Sequence, residues 1–284
     1  MMKKLTISGL VIFVVFFLAA TLVWFVHDKD IYKRLKYNET FHQSSISKLN
    51  IDSYSSDITI TQGSSFRVKY YGDNSIKVNT QKDSLNVKES RSSKRGYSFN
   101  LNPFKRSKFN IHITIPPDKL KQLNIDAKLG KLNINNIDIK KARIRKDGEN
   151  LNIKEAKLDC IDYYSDHGTI NIKNSDIKNS QFKVINSNIV VNHCTLKNGL
   201  FITNEGKLDF KNMPSQIDMK SSSKKGDINI EYKTKPKDTL LKLHPGMGDN
   251  NIKNPYFKDS KVGNSYNIIE CYNVKGCLLY TSPS

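Results

Sequence analysis

Cysteine is scarce in this 284-residue chain: Cys160, Cys194, Cys271 and Cys277 are the whole set, and no two of them form a C-x-x-C pair. Scattered thiols of this kind build neither a disulfide framework nor a thiolate metal site. No cysteine precedes Cys160, which excludes a lipid-modified cysteine near the N-terminus. Tryptophan occurs once, and the 27 acidic residues are outnumbered by 46 Lys and Arg. The motifs of catalysis are missing too. There is no HExxH, no G-x-S-x-G, no P-loop and no GxGxxG ahead of a helix. The six histidines, at 27, 42, 112, 167, 193 and 244, are dispersed. Asp166-His167 is the one suggestive pair, and its place beside Gly168 reads as a turn. Asp159, Asp162 and Asp166 do not have the spacing of a calcium loop. Asp138, Asp159, Asp162 and Asp209 form no recurring column of carboxylates of the kind a glycosidase groove needs. The sequence therefore reads as non-enzymatic, with no catalytic, cofactor-binding or metal residue to name.

Charge is also missing from one long stretch. Leu5 to Val26 is 22 residues without a charged side chain. As a helix rising about 1.5 Å per residue it spans a hydrocarbon core of about 30 Å, and Trp24 and Phe25 suit its interfacial end. Ala19-Ala20 offers a weak cleavage site, but apolar residues follow at once, so an uncleaved anchor fits better than a signal peptide. Residues 1–27 read as a transmembrane signal anchor and 28–42 as a juxtamembrane linker. The Lys/Arg counts on the two flanks do not favour an outside C-terminal domain.

What the chain does have is a short pattern that keeps returning: Gly130-Lys131-Leu132-Asn133-Ile134, Gly168-Thr169-Ile170-Asn171-Ile172, Gly206-Lys207-Leu208-Asp209-Phe210 and Gly226-Asp227-Ile228-Asn229-Ile230. Weaker copies start at Gly148 and Ser187, giving starts 18, 20, 19, 19 and 20 residues apart. A fixed period of this size marks a stacked repeat. A second apolar pair follows in each repeat: Ala142/Ile144, Ile161/Tyr163, Phe182/Val184, Leu200/Ile202 and Ile217/Met219, with Ile137, Ala156, Ile177, Cys194 and Met213 between the pairs. Alternate side chains would point inward, Gly or Ser would turn the corners, and the outward Asn133, Asn152, Asn171 and Asn229 would stack in ladders. The expected fold is all-β: a single-stranded β-helix or β-solenoid with 18–20-residue turns, preceded by one transmembrane helix. A β-sandwich has compatible strand spacing, but six similar registers in a row favour the solenoid. The β domain is placed at 43–275. Residues 276–284 continue neither the repeat nor the preceding composition, and read as a non-native tail similar to a translated sequencing adapter.

The net charge of +19 points to polyanions. Residues 91–108 hold Arg91, Lys94, Arg95, Lys105, Arg106 and Lys108 with no acidic residue, and interleave Tyr97, Phe99 and Phe104. These six cations are the candidate anionic-surface site, on a hairpin or loop between strands.

An anchor, a basic strand-rich segment, Ile113-Thr114-Ile115-Pro116-Pro117, a strand at Leu123-Ile125 and then the Gly-x-Ile-x-Ile series together resemble a bacterial β-strand-repeat family. It is a domain-of-unknown-function family of candidate adhesins, common as a membrane-anchored type in Gram-positive bacteria. The resemblance covers about 43–275 and implies a β-helix-like domain on the outer face of the cell membrane, with no catalytic residues. Partners would be the membrane through the N-terminal helix, and an anionic wall polymer, anionic lipid or envelope protein; an outside location disfavours nucleic acid. Two other readings are an accessory or sensor of an envelope-stress response, which the resemblance suggests, and a structural solenoid that assembles end to end.

Overall fold

A computed structural model of the chain describes residues 2–23, 25–26, 35–42, 45–91 and 109–281. Met2–Val23 is an α-helix without acidic residues in its first turn or basic residues in its last. Its window Thr6–Val23 has a mean hydropathy of 2.6 and is 0% buried, so it is long and apolar enough to cross a membrane. The other regular elements are strands, arranged in a sheet of 12 strands (the first sheet) and one with a main path of 14 (the second sheet).

The Gly-x-apolar-x-apolar pattern builds the first sheet. Leu132, Leu151, Ile170, Ile189, Leu208 and Ile228 are successive parallel partners. All six are buried to 0% exposure, as strand alternation demands when one face is covered. The residue between the inward pair faces out and meets its own kind. Asn152 Nδ2 donates to Asn133 Oδ1 at 2.9 Å, and Asn171 Nδ2 to Asn152 Oδ1 at 3.0 Å, each across 19 residues of sequence. The second sheet supplies the opposite wall of the core. There Tyr163, Phe182 and Phe201 stack with centroids 6.0 and 5.3 Å apart. Inward side chains of both sheets form one continuous cluster. Each fully buried Ile, Leu or Phe contributes about 1.5–3 kcal/mol, an upper figure because the unfolded chain is itself partly compact.

The corners have their own chemistry. Gly130 and Gly168 sit at φ 94° and 100°, and a Cβ on either would lie 2.1 Å from the carbonyl oxygen of Ser56 or Glu149 in the adjoining turn. Only glycine combines that backbone with that approach. The weak copy at Gly148 turns on Glu149 instead, at φ 65°. The next residue along the corner alternates in role from turn to turn. Asp57 accepts from the Lys131 N–H, Asn150 from Thr169 and Asn188 from Lys207, at 2.8, 3.0 and 2.8 Å. Inside the corner, buried polar side chains donate to corner carbonyls: Lys146 to Gly130 at 2.5 Å, Thr203 to Ser187 at 3.0 Å and Ser223 to Gly206 at 2.9 Å.

Stacking order departs from chain order at both ends. Lys48–Ser53 lies between Ser84–Ser90 and Gln122–Ala127 in the second sheet. Asp57–Gln62 lies between Asn110–Ile115 and Leu132–Asn135 in the first. The strands between 63 and 91, together with Asn110–Ile115, thus stack outside the first turn at this end of the molecule. Its end is finished by antiparallel strands: Phe66–Tyr71 on Asn110–Ile115, Leu35–Phe41 on Phe66–Tyr71, and Ser75–Gln81 on Ser84–Ser90. At the far end Asn267–Lys275 is inserted between Met219–Lys225 and Thr239–Pro245.

Three expectations are corrected. Leu200 and Ile202 face outward, because Phe201 pairs with Phe182 and carries the inward register with Thr203. Ser175, not Ile177, occupies the corner position of Ala156; Ile177 stacks with Leu158 and Leu196. Residues from Gly276 to Thr281 do continue the repeat. Leu278 and Tyr280 pair with Ile228 and Ile230 and are 0% exposed, and Gly276 turns the corner at φ 142°.

Candidate functional site

On the outer face of the second sheet one strand presents three cations that make no ion pair among the described residues. Lys141–Lys146 reads Lys-Ala-Arg-Ile-Arg-Lys, and its burial alternates strictly. Ala142 and Ile144 go into the core, while Lys141, Arg143 and Arg145 all point out. Lys146 is buried and donates to the Gly130 carbonyl, so this one strand uses a fourth cation for its corner. Neighbouring strands flank the outward cations with amides and carboxylates. Asn124 Nδ2 donates to Asn50 Oδ1, and Asn50 Nδ2 to Asn86 Oδ1, both at 2.8 Å. A shallow depression of about 720 Å³ spans these strands, lined by Asn124, Asp126, Lys141, Arg143, Arg145 and Asp162 among others.

The ion pairs around this face leave its centre unmatched. Lys88 bonds Asp52 at 3.2 Å, Lys48 bonds Asp83 at 3.3 Å and Lys140 bonds Asp159 at 3.1 Å. Lys141, Arg143 and Arg145 make no ion pair with any described residue. Three like charges on alternate positions of one strand lie about 6.6 Å apart along it. Nothing in the core requires three cations there. An arginine presents a planar donor fork suited to phosphate or carboxylate, and the facing Asp126 and Asp162 offset part of the positive charge without forming an ion pair.

Of the six cations singled out in the sequence, only Arg91 lies among the described residues, where it is exposed just after Ser84–Ser90. Lys94, Arg95, Lys105, Arg106 and Lys108 lie outside the described residues. The strands that lead into and out of that segment, Ser84–Ser90 and Asn110–Ile115, belong to the same end of the stack as Leu35–Phe41, the first strand after the apolar helix. Lys141, Arg143 and Arg145 escaped sequence reasoning, which singled out a long basic stretch without acidic residues, whereas Lys141–Lys146 is short and flanked by Asp138 and Asp147. The available signal was the alternation itself, because a period of two puts every second residue on one face.

Other polar clusters are structural. Glu89 is buried and accepts from Ser53 Oγ, Ser56 Oγ and Asn74 Nδ2 and from the backbone N–H groups of Tyr54, Ser55 and Ser56. Burial alone would raise its pKa, but the hydrogen bonds from Ser56, Asn74, Ser55 and Ser53 outweigh it and hold the carboxyl below its ordinary range. Glu270 accepts from Tyr272 at 2.6 Å and pairs with Lys220 at 2.9 Å, which bring its pKa down to about 2. Burial pushes the thiols of Cys194 and Cys271 up to about 11, away from the thiolate that reactivity needs. Among the described residues no group of three His, Cys, Asp or Glu is placed to hold a metal. Asp166 accepts from Tyr164 Oη at 2.9 Å and His167 O from Ser165 Oγ at 2.7 Å, so that pair serves its turn.

The family model described as Toastrack DUF4097 matches residues 46–271, and the chain belongs to that family, a domain of unknown function with a β-solenoid-like fold. Among solved structures, a candidate lipid-binding protein from Parabacteroides distasonis aligns with a TM-score of 0.51 at 13% identity, covering 86% of this chain and 96% of that one. A candidate adhesin from Bacteroides fragilis aligns at 0.41 and 14% identity over 88% and 99%. A candidate adhesin from Parabacteroides distasonis aligns at 0.46 and 10% identity over 87% and 97%. No curated protein matches the chain.

Proposed function

We propose that this Toastrack DUF4097 protein is a non-enzymatic, membrane-anchored binding scaffold of the cell envelope, and that the outer face of its second sheet takes an anionic polymer. The observation that carries the proposal is the set of three unmatched cations Lys141, Arg143 and Arg145 on one strand. The net charge of +19 draws polyanions to the molecule from a distance, and the unpaired guanidinium groups give them a place to settle. Residues 1–27 are the anchor, 28–42 the linker, and the stack between 130 and 230 is a single-stranded solenoid with turns of 18–20 residues, on the outer side of the membrane. The cations of 91–108 are joined to the end of the stack that follows the anchor, where anionic headgroups would meet them; the candidate lipid-binding neighbour makes anionic lipid the second ligand to try. Stacking end to end through open turns is not favoured, because antiparallel strands finish the end nearest the anchor.

The test is binding of the full chain, held in uncharged detergent, to poly(glycerol phosphate) and to phosphatidylglycerol vesicles. Binding is expected at low ionic strength and is expected to fall away near 1 M salt, where the screening length shrinks to about 3 Å. Absence of binding to both probes at low salt overturns the proposal.

A further inference from the structure

We infer that the ligand of this face carries an ammonium group close beside its phosphate; the inference rests on the reading that the face binds an anionic polymer. Across the parallel ladder Asp126 is the direct neighbour of Arg145, and Asp162 the direct neighbour of Arg143. All four side chains are exposed and line the same depression. Some direct neighbours of opposite charge on this sheet close on each other: Asp52 with Lys88 at 3.2 Å, Glu270 with Lys220 at 2.9 Å, Glu205 with Lys225 at 2.5 Å. Asp176 faces Lys157 and Glu270 faces Lys242 without pairing there, but another lysine holds each carboxylate, Lys178 at 3.2 Å and Lys220 at 2.9 Å. Arg143, Arg145, Asp126 and Asp162 make no such ion pair, and neither carboxylate has a hydrogen-bond partner among the described residues.

The result is a checkerboard of two guanidinium groups and two carboxylates, each free to meet a ligand. A face built for a plain polyanion is weakened by two open carboxylates at its centre, because they repel the same phosphates the arginines attract. A ligand with an ammonium a short carbon link away from each phosphate satisfies both signs at once, since neighbouring strands lie about 4.8 Å apart. The flanking Asn124, Asn50 and Asn86 ladder adds neutral hydrogen-bonding groups and no further charge. The shared chemistry is a phosphate with a nearby primary amine, which an aminoacyl-esterified polyol phosphate and a phosphoethanolamine headgroup both provide.

The experiment compares the full chain in uncharged detergent against poly(glycerol phosphate) bearing aminoacyl esters, the same polymer stripped of its esters by mild base, and vesicles containing phosphatidylethanolamine. The esterified polymer is expected to bind about tenfold tighter than the stripped one. D126N/D162N is expected to abolish that preference while leaving binding of the stripped polymer equal or stronger, and R143Q/R145Q to weaken both. A preference for phosphatidylethanolamine vesicles over esterified polymer would assign the amine to lipid; the reverse would assign it to the polymer. Equal or tighter binding of the stripped polymer by the unmodified protein, or a preference that survives D126N/D162N, overturns this inference alone. Failure of every probe to bind overturns the underlying reading with it.

Discussion

Glu89 accepts two hydrogen bonds from one residue, the Ser56 hydroxyl at 2.6 Å and the Ser56 backbone N–H at 3.1 Å, with all the groups buried. The pair joins strand Ser84–Ser90 to the corner of the first turn, 33 residues earlier in the chain. It is the lock that lets the segment between them fold back over that turn. Glu89→Gln keeps the shape but turns an amide toward backbone donors, so about 2–4 kcal/mol of stability should be lost. The pH dependence follows from the depressed pKa. The contribution is complete above about 4.5, the value of an unperturbed glutamate, and is lost as pH falls through the lower folded value. Thermal unfolding measured across that acidic window should fall steeply for the native chain and more gently for E89Q. Parallel curves would contradict the role given to Glu89.

Gly168→Ala tests the corners. The new methyl group would sit 2.1 Å from the Glu149 carbonyl oxygen at a backbone angle that side chains avoid, and about 2–4 kcal/mol should be lost. Gly148→Ala, one repeat earlier and with nothing within 4 Å of the new atom, should change stability by no more than about 0.5 kcal/mol. Equal effects at the two sites in a denaturant titration would reject the assignment of the corner to Gly168.

The amide ladder makes a smaller and more local demand. Asn152 donates to Asn133 and accepts from Asn171. Asn152→Ala should cost about 1–2 kcal/mol, since the ladder is only half-buried and water can replace part of it. Hydrogen exchange should then speed up in Leu132–Asn135, Leu151–Lys154 and Ile170–Lys173 ahead of distant turns. Uniform acceleration through the stack would show that the ladder does not act turn by turn.

The side of the membrane is read by labelling. Lys183 is exposed on the outer face of the second sheet, so Lys183→Cys in a background with Cys160→Ser and Cys277→Ser offers one accessible thiol; Cys194 and Cys271 are buried. A membrane-impermeant maleimide should label it in intact cells as fully as in lysed ones. Labelling only after lysis would place the β domain inside.

Much of the architecture was legible because the repeat writes the same register again and again: Leu132 to Ile228 follow directly from the Gly-x-apolar-x-apolar spacing. The failures share one cause. Period two leaves the choice of face to neighbouring strands, and in Thr195–Glu205 the stacking of Phe201 on Phe182 outweighs the apolar pair Leu200 and Ile202. The insertion of Lys48–Ser53 between two later strands is a long-range pairing that no local pattern announces. Leu278 and Tyr280 were obscured by an unusual composition, although Gly276-Cys277-Leu278-Leu279-Tyr280 has the spacing of every other turn. The cations of Lys141–Lys146 were visible as residues but not as a face, because the facing Asp126 and Asp162 come from other turns and their register against Arg145 and Arg143 is a long-range pairing.

The central claim is that Lys141, Arg143 and Arg145 hold an anionic polymer. The direct measurement is the affinity of the full chain for poly(glycerol phosphate) as a function of salt, beside K141Q/R143Q/R145Q. These exposed substitutions should leave unfolding unchanged within about 0.5 kcal/mol. The account predicts at least a tenfold loss of affinity at low salt, about 1.4 kcal/mol, and a flatter dependence on salt concentration. An unchanged affinity with an unchanged salt slope would contradict it.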